Sequence, residues 1–183
     1  SFELTGAQKR VINEIYKDMN SERVMNRLLQ GDVGSGKTIV ALIAIMIAVD
    51  NGFQTAFMCP TEILAEQHYK TITDFIAKIN EAREGTDKEK IKVSILIGGQ
   101  KKKLRGEILE DIQTGTSDIV IGTHALFQDK VEFKNLGFVV IDEQHKFGVM
   151  QRARLKQKGE NPDTLVMTAT PIPRTLSLTY YGD

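Results

Sequence analysis

Short uninterrupted apolar runs alternate along the chain with longer stretches in which apolar residues recur every three or four positions. The runs at 26–30, 55–59, 92–97, 118–121, 138–142 and 164–167 read as strands. The stretches 37–50, 62–80, 101–113 and 144–157 have helical periodicity. A further helix opens at Thr5, because Thr5-x-x-Gln8 has the form of a capping box. Strongly apolar strands separated by helices predict an α/β domain whose central, mostly parallel sheet carries helices on both faces. Residues 81–92 are charged and include Gly85, and are expected to form a solvated helix end and loop.

The first strand leads into Gly31-Asp32-Val33-Gly34-Ser35-Gly36-Lys37-Thr38, which fits the phosphate-binding pattern GxxxxGK[ST]. Glycines let the backbone curl until several N–H groups point at one anion. The helix that starts near Gly36 adds the positive end of its dipole. Lys37 brings a point charge for the outer phosphates, and the Thr38 hydroxyl is suited to ligate Mg²⁺. The strand before this loop and the apolar helix after it argue against a chance glycine-rich turn.

A second motif ends the most apolar strand. Phe138-Val139-Val140-Ile141 is followed at once by Asp142-Glu143. Ligands of open α/β sheets bind at the carboxyl ends of the strands, so both carboxylates fall at the expected site edge. Asp142 is placed to hold the magnesium shell, and Glu143 to orient or deprotonate an attacking water. Taken alone, the pair also suits a strand running out into solvent. With the phosphate loop in the same chain it points to hydrolysis of a nucleoside triphosphate with Mg²⁺, and not to simple nucleotide binding.

A third motif, Met167-Thr168-Ala169-Thr170-Pro171, ends another apolar strand. In P-loop folds with a catalytic glutamate, a strand lies between the phosphate-loop strand and the acidic strand. Thr168 and Thr170 at its tip are candidates to sense the phosphate and relay its loss. The plain alternative is a threonine-rich strand end before a proline turn.

Composition and charge narrow the setting. The chain has 183 residues, 41% hydrophobic and 26% charged, as in an ordinary globular domain. No apolar run is long enough to span a bilayer, and no secretory leader is visible, so no membrane role is expected. The single cysteine, Cys59, has no internal disulfide partner, which suits a reduced cytoplasm. Formal net charge is zero, so any nucleic acid must be held by a local surface, not by a global positive field. His68 and His145 stand without other clustered metal-ligand residues, which argues against a zinc site.

Taken together, GDVGSGKT, PTEILAEQH (60–68), GTHALFQ (122–128), DEQHKFGVMQR (142–152) and MTATPIPRTLSLTYYGD (167–183) resemble the motifs of superfamily 2 helicases. The chain is similar to the RecG family of branch-migrating DNA helicases, and it also resembles the transcription-repair coupling translocase, which usually shows DEEH or DEEQ where this chain has Asp142-Glu143-Gln144-His145. Lys146 stands where that family usually has arginine, and Met150 where it usually has glutamate. The resemblance implies a RecA-like P-loop fold, Mg-ATP, and work on stalled forks and Holliday junctions in recombination and repair. It also implies that Phe2 and Gln8 recognise adenine, the glutamine amide both donating to and accepting from the base edge. His145 is then expected to link the ATP site to Thr168 or Thr170.

DNA-backbone contacts are expected at Thr61 on a helix start, at Gly98 and Gly99 after a strand, and at Thr123 and His124 after another. The plainer readings of these positions are a helix cap, a glycine turn and a polar loop. Lys101-Lys102-Lys103 reads first as a solvated helix face. The family's second RecA-like domain, which carries an arginine that completes the ATP site, is expected to follow this chain. Its wedge domain is expected to precede it, the whole acting as a monomer. Two other classes stay open: a P-loop ATPase with no nucleic-acid role, and a module that holds nucleotide without hydrolysing it.

The carboxylate pair gives a first prediction. In the complete protein, Glu143→Gln keeps size and hydrogen bonding but removes the water-activating charge. Mg-ATP should still bind, while turnover falls by about 10²–10⁴-fold, the range for a lost general base. Equilibrium binding and steady-state hydrolysis, measured side by side, check this division of labour. Loss of both together would refute it.

Overall fold

The computed structural model describes residues 3–31, 36–142, 149–168 and 179–182. Helix α1 spans Gly6–Met19 and is followed by β1 (Asn26–Gln30), α2 (Lys37–Asp50), β2 (Gln54–Met58), α3 (Glu62–Arg83) and β3 (Val93–Leu96). The chain continues through α4 (Lys102–Thr114), β4 (Ile119–Gly122), a 3₁₀ turn (His124–Phe127), β5 (Leu136–Asp142), α5 (Val149–Lys156), β6 (Asp163–Thr168) and β7 (Thr179–Gly182). The strands form one sheet in the order β3-β4-β2-β5-β6-β1-β7. The first six are parallel, and β7 adds an antiparallel edge beside β1.

Alternation along the central strands divides the core in two. Phe57 and Cys59, Ile119 and Ile121, and Phe138 and Val140 face a layer that holds Val11 and Ile15 of α1, the apolar side of α2, and Ile72 and Ile76 of α3. Ala56 and Met58, Val120, and Val139 and Ile141 face the opposite layer, built from Ile108 and Ile112 of α4, Leu126 of the 3₁₀ turn and Leu155 of α5. Both faces are therefore buried, which is why these strands read as continuous apolar runs. The sheet sits between helices as expected, and β6 lies between β1 and β5, as the third motif required.

Element ends differ from the sequence expectation for identifiable reasons. The run at 92–97 forms a shorter strand, because Lys92 N–H donates to the Asp118 carboxylate and Ile97 N–H to Gln100 Oε1 instead of to a ladder partner. Strand β5 starts earlier than its apolar run suggests. A register shift between Leu136 and Phe138 passes over Gly137, against which the Phe53 ring is packed. Helix α3 runs past residue 80 to Arg83, whose guanidinium pairs with Asp50 and donates to the Glu89 carbonyl. Of the stretch 144–157, the described part is helical at Val149–Lys156. Strand β7 had no counterpart among the expected strands.

One buried side chain ties the lower edge of the sheet together. Gln54, 4% exposed, donates through Nε2 to the carbonyls of Ile112 and Ser117, each at 2.9 Å. Its Oε1 accepts from Asn135 N–H at 2.8 Å. Gln54→Leu should keep the packing volume but strand the Ser117 carbonyl and Asn135 N–H, while the Ile112 carbonyl keeps Gly115 N–H. With about 1–3 kcal/mol for each unsatisfied group, partly recovered by relaxation, the expected loss is roughly 1–4 kcal/mol in urea unfolding. A change below about 0.5 kcal/mol would show that the hub contributes nothing.

Candidate nucleotide site and nucleic-acid face

The carboxyl ends of the six parallel strands share one edge, and the sequence motifs divide along it. The half formed by β1, β6 and β5 carries the phosphate loop, Thr168 and Asp142. The half formed by β2, β4 and β3 carries Thr61, the corner at 123–124 and the Gly98-Gly99 turn.

On the first half, Gly36 caps α2 in the left-handed region, with φ +85° and ψ 24°, and as a glycine it brings no side-chain cap of its own. The start of a helix is a favourable place for an anion, because its N–H groups and the positive end of its dipole point there. The backbone angle demands glycine, and a Cβ there would lie 2.0 Å from Gln8 Nε2 and displace that amide. Gln8 is buried and has two tasks. It closes the capping box with Thr5, its Oε1 accepting from Thr5 N–H, and its Nε2 donates to the Gly36 carbonyl at 3.4 Å. The adenine-recognition candidate thus touches the phosphate loop directly.

Lys37 donates from Nζ to the Gly31 carbonyl at 2.5 Å. Gly31 N–H donates to the Thr168 carbonyl at 3.3 Å, so the loop entrance is fastened to the tip of β6. Thr168 is itself buried and pairs in register with Gln30. Thr38 is half-buried on the first turn of α2. Asp142 ends β5 at 7% exposure and pairs in register with Met167. Phe2, Asp32, Val33, Gly34, Ser35, Glu143, His145 and Thr170 lie outside the described residues.

Asp142 has a partner that sequence reasoning missed. His68 Nε2 of α3 lies 2.8 Å from Asp142 Oδ2, across 74 positions of sequence. Asp142 also lies near Cys59. Burial first, and the Asp142 charge second, push the Cys59 thiol far above its ordinary range, so it stays protonated. The signal for His68 lay in the segment PTEILAEQH, but nothing in that segment says which strand end its last residue reaches.

On the second half, Thr61 caps α3, its Oγ1 accepting from Leu64 N–H at 3.2 Å, and its exposed hydroxyl keeps a proton to donate. Gly98 and Gly99 are both exposed. Gly99 adopts φ +75°, and Glu62 Oε1 would lie 3.0 Å from a Cβ on Gly98. The side chain of Gln100 turns inward to serve Ile97 N–H and the Ile95 carbonyl. Arg105 braces the two loops, donating to the Ile97 carbonyl and to Gln128 Oε1. Thr123 is 1% exposed, and its hydroxyl has no partner among the described residues. The exposed residue of that corner is His124.

Comparison with known proteins agrees with this layout. The sequence profile of the DEAD/DEAH box helicase family matches residues 5–179. The ATP-dependent DNA helicase RecG of Thermotoga maritima is 54% identical over 182 residues, covering 100% of this chain and 22% of that protein. The RecG helicase of Bacillus subtilis is 53% identical over 182 residues, again covering 100% of this chain and 25% of the relative. The chain thus spans about a quarter of the length of the curated relatives it matches. A solved structure of RecG bound to a three-way DNA junction superposes with a TM-score of 0.78 at 50% identity, over 94% of this chain and 22% of that one. The yeast DEAD-box splicing factor Prp28 shares the fold alone, with a TM-score of 0.66 at 24% identity over 93% of this chain and 41% of that one. With a phosphate loop, an acidic strand end and the strand between them in the required order, the chain belongs to the DEAD/DEAH box helicase family, and along its whole length it is similar to RecG helicases.

Proposed function

We propose that this chain is the nucleotide-binding motor domain of an ATP-dependent DNA helicase or translocase of the RecG type. It acts on branched DNA such as stalled forks and Holliday junctions. The observation that carries this reading is the division of a single sheet edge into two halves. One holds the phosphate loop, Thr168 and Asp142, and the other presents Thr61, Gly98, Gly99 and His124. Support for branched DNA as the partner comes from the similar RecG chain that was solved on a three-way junction.

The residues fit Mg²⁺ and ATP. Gly36 opens α2 in a left-handed conformation, the Thr38 hydroxyl lies on the first turn of that helix, and the buried Asp142 carboxylate supplies further oxygen donors. Asp142 and Thr38 hold the metal, the loop 31–38 and Lys37 hold the phosphates, and Phe2 and Gln8 select the base. When bound, Mg²⁺ and ATP supply the phosphoryl-transfer chemistry that drives the motor. Glu143 orients the attacking water and takes its proton. Thr168, Thr170 and His145 report the state of the site to the rest of the protein. Thr61, Gly98, Gly99, Thr123 and His124 grip the DNA backbone, with no sequence code. Thr123 takes part through its backbone, since its side chain is buried. A second RecA-like domain closes over the nucleotide and contributes an arginine, and a wedge domain engages the junction. The protein works as a cytoplasmic monomer. Among the described residues no helix is long and apolar enough to cross a membrane.

The test is steady-state ATPase of the complete protein with no DNA, with linear duplex and with a forked or three-way junction. Branched DNA should stimulate most, and Lys37→Ala should abolish turnover while the fold survives. ATPase that is indifferent to every DNA would identify a nucleotide hydrolase with no nucleic-acid role.

Residues 1–183 alone should bind Mg-ATP loosely, turn it over very slowly and gain nothing from forked DNA. An arginine contributed by a second domain would be worth on the order of 10³–10⁵ in rate. Robust DNA-stimulated turnover from this chain alone would mean that it supplies its own arginine, with Arg152 and Arg174 as candidates.

A further inference from the structure

We infer, building on the metal-holding role proposed for Asp142, that His68 is the positioning residue that orients this carboxylate and joins it to the DNA-facing end of α3.

The contact crosses between the two halves of the site edge. Asp142 ends β5, on the nucleotide half, whereas His68 belongs to the helix that follows β2, on the nucleic-acid half. A carboxylate can only accept, so the imidazole donates from Nε2 to Oδ2 across 2.8 Å. Both side chains are largely withdrawn from solvent, at 15% and 10% exposure, so water competes poorly for the bond. The imidazole is held on its face as well. Its centroid lies 4.8 Å from that of Phe57, with the planes tilted by 43°, and Phe57 is fully buried. Packing against Phe57 fixes where the imidazole sits, and the hydrogen bond fixes how the carboxylate is rotated.

The choice of residue follows from these two demands. A leucine or phenylalanine at 68 would fill the space beside Phe57, but neither donates. A lysine would donate but not pack. Histidine does both in a compact shape. A carboxylate anchored at one oxygen presents the other in a set direction, and such outer partners of ligating carboxylates are typically worth 10–100-fold in metal affinity or activity.

The same bond has a mechanical consequence. Thr61 caps α3 and His68 lies seven residues further along, roughly 10 Å up a rigid helix. A shift of the helix start against a DNA phosphate therefore moves the imidazole, and with it the carboxylate. By linkage, Mg-nucleotide must then alter DNA affinity by the same factor as DNA alters Mg-nucleotide affinity.

The experiment uses the complete protein and two substitutions that separate donation from packing. His68→Phe keeps an aromatic ring against Phe57 and removes the donor. His68→Gln keeps a donor of similar reach and removes the ring. Affinity for a fluorescent ATP analogue is measured in Mg²⁺ and again in EDTA, with and without forked DNA, with thermal melts as fold control. His68→Phe should weaken Mg²⁺-dependent binding by about 10–100-fold, leave binding in EDTA unchanged, and bring the effect of DNA on affinity close to one. His68→Gln should restore most of both. Equal losses in Mg²⁺ and EDTA, or a silent His68→Phe with a damaged His68→Gln, would reduce His68 to a packing residue and overturn the inference. Wild-type protein that binds no Mg-nucleotide would sink the nucleotide reading itself. Normal wild-type binding with a silent His68→Phe sinks the role of His68 alone.

Discussion

Burial of the parallel sheet on both faces is the constraint from which the rest follows. Each central strand sends alternate side chains into two separate cores, as Phe57 and Met58 or Val140 and Ile141 do. Parallel neighbours cannot be joined by tight turns, so each return must cross the sheet through a helix or a long connection. Every strand in the set of six therefore points the same way. Their carboxyl ends meet at one edge, and the helices that follow begin there. The edge collects exposed loops, helix N-termini and strand-end carboxylates without any strand giving up apolar burial to chemistry.

Polar groups at that edge serve mainly to hold one another. Gln8 joins the first helix to the phosphate loop, Gly31 fastens the loop to Thr168, and His68 holds Asp142. Asp142 sits where little water reaches, and its charge helps keep the Cys59 thiol protonated. A carboxylate in such surroundings interacts more strongly with any neighbour than one in bulk water does. The His68 contact ties α3 to the end of β5.

The opposite half of the edge is organised differently. Gln100 and Arg105 satisfy backbone groups at Ile95 and Ile97, and Arg105 reaches across to Gln128. These side chains stiffen the loops from behind and leave Gly98, Gly99 and His124 exposed. A surface built from backbone and small residues suits a phosphate chain read by shape, and it needs no net positive charge on the domain as a whole.

Local signals determined much of this in advance. The apolar runs, the Thr5 capping box, the glycine loop before Lys37 and the acidic end of the 138–142 run are short-range patterns, and each follows from backbone sterics or from burial of nearby residues. The extents of β1 and α2 were legible for that reason. What was not legible depends on distant partners. Strand β7 forms only by pairing with β1, and the start of β5 depends on a register shift at Gly137 beneath Phe53. The burial of Thr123 reflects the packing of its corner, not its residue type. His68 has the same periodic neighbours whether or not it meets Asp142, because 74 positions of sequence separate them and only the pairing of β2 with β5 brings their segments together. Sequence set the residues able to do the chemistry. Only the order of strands in the sheet decided which of them touch.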